Sequence, residues 1–178
     1  MKRNAKHIFS FFLSVLFFVV SIAQTKDEQI KLIRKKFEVI NKDTTLKKVV
    51  LENEEFLKDM TDGGGKLTGF YKNKEIKKIY EWIGLSNGIS MREFYFDKGQ
   101  LIFVYEKFDS FVFDDKKNEF DYSKTKTIFE GRYYFSNKKI FSRSTKGKRS
   151  LTAQNESTQE NLLERANENL GTLNKKSN

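Results

Sequence analysis

Four carboxylates, Asp114, Asp115, Glu119 and Asp121, crowd one short polar stretch between two aromatic-rich segments. Oxygen-rich loops of this kind can hold calcium, which takes several carboxylate and carbonyl ligands at once. Two carboxylates facing each other across a cleft could instead serve as the acid and base of glycan hydrolysis. Lys116 and Lys117 interrupt the cluster, and its spacing is not that of an EF-hand. The loop is therefore read first as an acidic, solvated turn. Asp114, Asp115, Glu119 and Asp121 remain only weak metal candidates, and no cofactor is implied.

Cationic side chains interleaved with aromatic rings form a second kind of candidate, because such surfaces capture anionic ligands. Lys72, Lys74, Lys77 and Lys78 make one cluster; Lys138, Lys139, Arg143, Lys146, Lys148 and Arg149 make a longer one. The second is the stronger, and the single tryptophan, Trp82, is added to it as a candidate stacking residue. The plainer reading of both clusters is that lysines guard the edges of a sheet against aggregation. Asp62-Gly63-Gly64-Gly65-Lys66 looks superficially like a phosphate loop. It lacks the glycine spacing and the following helix that a phosphate loop needs, so it is read as a flexible connection.

What the chain lacks narrows the chemistry further. It has no cysteine and one histidine, His7, near its start. Thiol nucleophiles, cysteine-based zinc sites and histidine general bases are thereby excluded from the region after it. Stability must come from an ordinary core rather than from disulfides.

These side chains must be positioned by regular elements, and the pattern predicts which. Ile30, Ile33, Phe37 and Ile40 recur at helical spacing over 26–40, with Thr25 as N-cap and Glu28 completing a capping box. Strands are expected over 46–52, 66–72, 75–83, 91–96, 100–108, 125–135 and 138–143, all rich in aromatic and β-branched residues. Asp97-Lys98-Gly99-Gln100 and Ser136-Asn137-Lys138-Lys139 read as tight hairpin turns. A faint pattern recurs, with aromatics just ahead of a turn and Ile76, Leu101 or Ile140 after it. It is read as a run of hairpins rather than a repeat array.

The expected fold is α+β: an N-terminal amphipathic helix packed on one face of an antiparallel meander of about six or seven strands, the other face partly wet. In the third strand Ile76, Tyr80 and Trp82 are expected on one face and Ile79 and Ile83 on the other. No aromatic follows Phe141, which sets the expected end of the compact domain, 24–149. Residues 150–178 read as a polar tail with a thin stripe of Leu162, Leu163, Ala166 and Leu170, partly helical or disordered.

Residues 1–23 have the layout of a secretory signal peptide. Lys2, Arg3 and Lys6 precede an apolar run from Ile8 to Val20, and Ser21-Ile22-Ala23 offers small residues before a cleavage point between Ala23 and Gln24. The run is shorter than the ~20 residues that span a bilayer. Cleavage lowers the net charge of +10 by the three units of Lys2, Arg3 and Lys6. The expected location is secreted or periplasmic, which makes nucleic acid an unlikely partner for the remaining basic surface.

The signal ending Ser21-Ile22-Ala23-Gln24 and the Lys-, Asn- and Phe-rich composition resemble an uncharacterised family of small exported β-rich proteins of Bacteroidota. The stretch from Gly69-Phe70-Tyr71 through Gly131-Arg132-Tyr133-Tyr134-Phe135 is similar to the sheet of that family. The resemblance implies export and a cysteine-free sheet, and brings no activity with it. In outline a helix followed by a meander is also similar to β-lactamase-inhibitor-like and PepSY-like modules, a likeness of fold alone. Together these features point to an exported, non-enzymatic binding module for a protein partner or an anionic cell-envelope component. A carboxylate-dependent glycan hydrolase is the alternative. The pattern leaves the oligomeric state open.

Overall fold

A computed structural model describes residues 25–148 and 157–177; the expected signal segment 1–23 and Arg149 lie outside them. Helix α1 spans Lys26–Lys42. Seven strands follow: β1 Lys47–Glu52, β2 Gly65–Lys72, β3 Glu75–Leu85, β4 Gly88–Asp97, β5 Gln100–Asp114, β6 Glu119–Ser136 and β7 Lys139–Gly147. Helix α2, Gln159–Ser177, closes the described chain. The strands form one antiparallel sheet in sequence order, β1 to β7, so every connection is a hairpin or a short loop. At the start of α1 the Thr25 hydroxyl accepts from the Glu28 N–H, while the Glu28 carboxylate accepts from the Thr25 N–H. Among the described residues no helix is long and apolar enough to cross a membrane.

Neighbouring residues of a strand point to opposite faces, and here both faces are covered. Leu67, Ile79, Phe94, Val104, Tyr133 and Phe135 pack with Leu162, Ala166 and Leu173 of α2. On the other face Tyr95, Phe103 and Tyr134 pack with Ile33 of α1, joined by Ile30, Phe37 and Ile40. The Phe37 ring meets Tyr95 edge-on at 5.0 Å and Phe103 at 5.7 Å.

The tail expected over 150–178 to be partly helical or disordered is helical over residues 159–177. They form a helix whose Leu162, Ala166 and Leu173 are buried. The stripe looked thin because two of its positions are polar and yet satisfied. Arg165 Nε donates to Glu81 Oε2 at 2.6 Å, and Asn169 Nδ2 donates to the same oxygen at 2.8 Å. The compact unit consequently extends well past Phe141, and the sheet face expected to be wet is the one α2 covers.

The recurring aromatic pattern has a geometric cause. In three hairpins an aromatic residue faces an aliphatic one two positions from the turn: Tyr71 with Ile76, Phe96 with Leu101, Phe135 with Ile140. In each the register then slips by one residue, leaving Lys77, Ile102 or Phe141 as the extra residue of a bulge. The bulge at Lys77 also corrects the expected facing in β3: Ile76 and Ile79 both enter the α2-side core. All three turns have two residues at positive φ: Asn73-Lys74, Lys98-Gly99 and Asn137-Lys138. That is the mirror-image turn that matches strand twist. Lysine is strained in this region, whereas glycine, as at Gly99, is not. Replacing Lys74, at φ 65°, with glycine is expected to raise stability by about 0.5–1 kcal/mol, read as a higher urea midpoint.

The triple glycine is likewise not a flexible link. The Gly63 N–H donates to the Gly84 carbonyl and the Gly84 N–H donates to the Gly64 carbonyl, and a Cβ on Gly63 would lie 2.7 Å from the Gly84 Cα. Strand β2 starts at Gly65 rather than a helix, which also removes the phosphate-loop reading.

Candidate functional site

The four carboxylates sit on one structure, the β5–β6 hairpin, whose outer part extends beyond its neighbours as a two-stranded arm. Pairing of β5 with β4 ends at Ser110, and pairing of β6 with β7 ends at Phe129. Along the arm Phe111 meets Tyr122 edge-on at 5.0 Å, and Phe113 meets Phe120 at 5.3 Å. Asp114 turns inward on its own loop, accepting from the N–H groups of Lys116 and Lys117. Asp121 accepts from Ser123 and from Lys124 Nζ at 2.8 Å, and these contacts hold its carboxyl at about 2, Lys124 foremost. Asp114 pairs with Glu119 across the hairpin, while Asp121 faces Val112. Among the described residues no group of three or more His, Cys, Asp or Glu is placed to hold a metal ion. The four carboxylates thus lie along one arm, and the structure does not gather them round a common ligand.

The two basic clusters are distinguished by their partners. In the first, Lys72 pairs with Asp43 at 2.6 Å, Lys77 with Glu75 at 2.9 Å and Lys78 with Glu93 at 2.6 Å. These charges are spent on the fold itself. In the second, none of Lys138, Lys139, Arg143, Lys146 and Lys148 forms an ion pair with a described residue, and all five are exposed. Among the described residues no strand pairs with the outer side of the β7 edge that carries them.

The structure divides this second cluster. Lys138 sits in the β6–β7 turn and Lys139 beside it. Lys146 faces Glu130 in register. The Glu130 carboxyl is held below the usual carboxylate range, first by the Tyr105 hydroxyl that donates to it at 2.6 Å, then by Arg132 and Lys146. Arg143 and Lys148, by contrast, line a groove of about 900 Å³ at the sheet edge. Trp82 stands half-buried on β3, paired with Met91 and Lys66, and takes no part in it.

Four elements build that groove. Strands β6 and β7 supply Phe129, Tyr133, Ile140 and Phe141, an aromatic and aliphatic lining. The start of α2 supplies Ser157, Thr158 and Gln159, with the Thr158 hydroxyl capping the helix by accepting from the Asn161 N–H. The Gln159 amide oxygen accepts from the Ile140 N–H at 2.8 Å, tying the helix start to the edge strand. Ser157 is anchored from below by its hydroxyl bond to Glu106. The first residue of α1, Lys26, adds a third cation that spacing along the chain gave no reason to select. The result is a concavity with an aromatic and aliphatic lining, four serine and threonine residues (Ser142, Thr145, Ser157, Thr158) and three cations without ion pairs among the described residues. Such a lining can neutralise an anionic group while covering an adjoining apolar portion. No protein-family model matches this chain, and neither a curated protein nor a solved structure matches it.

Proposed function

We propose that this chain is an exported, non-enzymatic binding module that captures an anionic cell-envelope component in the groove at the β7 edge. The observation carrying this reading is the convergence of Lys26, Arg143 and Lys148, free of ion pairs among the described residues, on one groove with an aromatic lining. Lys72, Lys77, Lys78 and Arg92 are matched by carboxylates, whereas these three form no ion pair among the described residues. The helix start beside them adds backbone donors and the positive end of the α2 dipole, which favour a phosphate or carboxylate. Signal cleavage after Ala23 would leave α1 as the first element of the mature protein and Lys26 close to its new amino terminus.

Vesicles containing phosphatidylglycerol provide the test. Binding in a sedimentation assay is expected to fall steeply as salt rises from low to physiological strength, because exposed charges are screened over about 8–10 Å. The double variant R143E/K148E is expected to lose binding about tenfold or more, a few charge contacts being sufficient for that change. The equal charge change K72E/K77E, made on lysines already paired within the fold, is expected to have a much smaller effect. Binding that ignores salt, or equal losses for the two double variants, would overturn the assignment to this groove.

A further inference from the structure

A second groove, of about 320 Å³, lies on the α1 side of the sheet, between α1 and strands β4–β6. We infer that it is a binding site for a short zwitterionic peptide, a dipeptide with an apolar side chain, because its charges are sorted to two ends. Glu93, Tyr105 and Arg132 stand in one row across β4, β5 and β6. Helix α1 crosses the same three strands in the reverse direction. At its middle Arg34 Nε donates to the Tyr134 hydroxyl on β6 at 3.2 Å, and near its end Asn41 Nδ2 donates to the Tyr95 hydroxyl on β4 at 3.0 Å. Arg34 and Arg132 therefore mark the β6 end, while Glu38, one helical turn after Arg34, and Glu93 lie toward β4. All four line the groove.

The charged groups at the two ends keep hydrogen-bonding capacity for a ligand. Arg132 lies over the Tyr105 ring at 5.1 Å and is 3.7 Å from Glu130, a loose pairing for a guanidinium with five N–H donors. Glu93 accepts from Lys78 at 2.6 Å and from the Tyr95 hydroxyl at 2.5 Å, which leaves half of a carboxylate's four acceptor positions. Glu38 makes no ion pair with a described residue and is exposed. Between the ends the walls are Phe37, Phe103 and the ring of Tyr105. This sequence of cation, ring and anion fits a ligand with a carboxylate at one end, an ammonium at the other and an apolar group between.

Length selects the class. The ends are two strand spacings apart, about 9.6 Å between backbones, and the Arg132 side chain, lying over the Tyr105 ring, shortens that span from the β6 side. An extended dipeptide separates its termini by about 7 Å, close to the remaining gap. A free amino acid carries both charges on one carbon and cannot reach both ends. This groove and the β7 edge are served by different residues, so the two sites are separable by mutation.

The test is titration of the chain with Ala-Phe, followed by backbone amide NMR shifts on α1 and β4–β6. Saturable shifts confined to those elements are expected. Acetyl-Ala-Phe, which lacks the ammonium, and Ala-Phe amide, which lacks the carboxylate, are each expected to bind about tenfold or more weakly, the effect of one lost charge-assisted hydrogen bond. Free phenylalanine should bind as poorly as these. Arg132→Gln and Glu38→Gln, both at partly or fully exposed positions that the core does not use, should weaken Ala-Phe by a similar factor while leaving vesicle binding unchanged. Equal binding of the blocked peptides, no shifts at millimolar Ala-Phe, or indifference to Arg132→Gln would each overturn the inference. Loss of vesicle binding alone would instead count against the β7-edge groove.

Discussion

Replacing Glu81 with alanine is expected to lower the unfolding free energy by about 3–5 kcal/mol, the cost of removing one partner from a buried ion pair. Glu81 is 1% exposed, and both of its oxygens are occupied. Oε1 accepts from Arg92 Nη1 at 3.0 Å, and Oε2 accepts from Arg165 Nε and Asn169 Nδ2 at 2.6 and 2.8 Å. Arg92 also donates through Nε to Glu106 at 2.7 Å, and Glu106 holds Ser157 at the start of α2. Burial opposes the charge on Arg92, yet the Glu81 and Glu106 carboxylates more than offset it and its pKa rises. Two carboxylates and two guanidiniums thus neutralise one another beneath α2.

Alanine at 81 leaves Arg92 and Arg165 in place with half their compensation gone. Trp82, the only tryptophan, is the next residue on β3 and reports the transition by fluorescence during urea unfolding. Glu81→Gln should cost less than Glu81→Ala, because it preserves shape and one acceptor oxygen. A loss below about 1 kcal/mol for Glu81→Ala would show that the network is not what fastens α2, since an isolated surface pair is worth no more than that. The same variant should weaken vesicle binding indirectly, because Ser157 and Thr158 form one wall of the edge groove.

The strands were readable because their aromatic and β-branched runs fill two opposed cores, and the turns because Gly99 and Asn137 advertise positive φ. Other features depended on contacts remote in sequence. Arg165 and Asn169 read as surface residues until Glu81, far earlier in the chain, is placed beneath them. Lys77 broke the alternation of β3 because a bulge gives it no cross-strand partner. The expected strands stop at Phe108 and resume at Thr125, since the Asp and Lys residues of the arm mask the ladder of Phe111, Phe113, Phe120 and Tyr122. At the candidate site Arg143 and Lys148 were named from charge alone. Lys26 was not, because only the packing of α1 against the sheet brings it to that edge. Trp82 was drawn in as an aromatic near lysines, which strand order then separated.

Removing residues 157–178 is expected to abolish cooperative unfolding rather than trim a tail. Leu162 is 2% exposed and Leu173 is fully buried, and a fully buried leucine contributes about 1.5–3 kcal/mol. Leu163 and Leu170 add partial burial against the same core. Lys58 pairs with Glu168 at 2.8 Å and Lys176 with Glu55 at 2.5 Å, but these exposed links add little. The apolar contribution together with the Glu81 network equals a large share of the 5–15 kcal/mol that stabilises a typical domain. Without α2, Leu67, Ile79, Phe94 and Val104 would face water, and the truncated chain should bind a hydrophobic dye and melt without a sharp transition. Leu173→Ala gives the graded version. Its side chain lies against the bare backbone of Gly69, where a Cβ would approach Leu173 Cδ1 to 3.0 Å, so Gly69 offers no side chain to the space it vacates. A loss of about 2–5 kcal/mol is expected. An unchanged midpoint for Leu173→Ala, or a sharp native-like transition after truncation, would mean that the sheet is held together without its second helix.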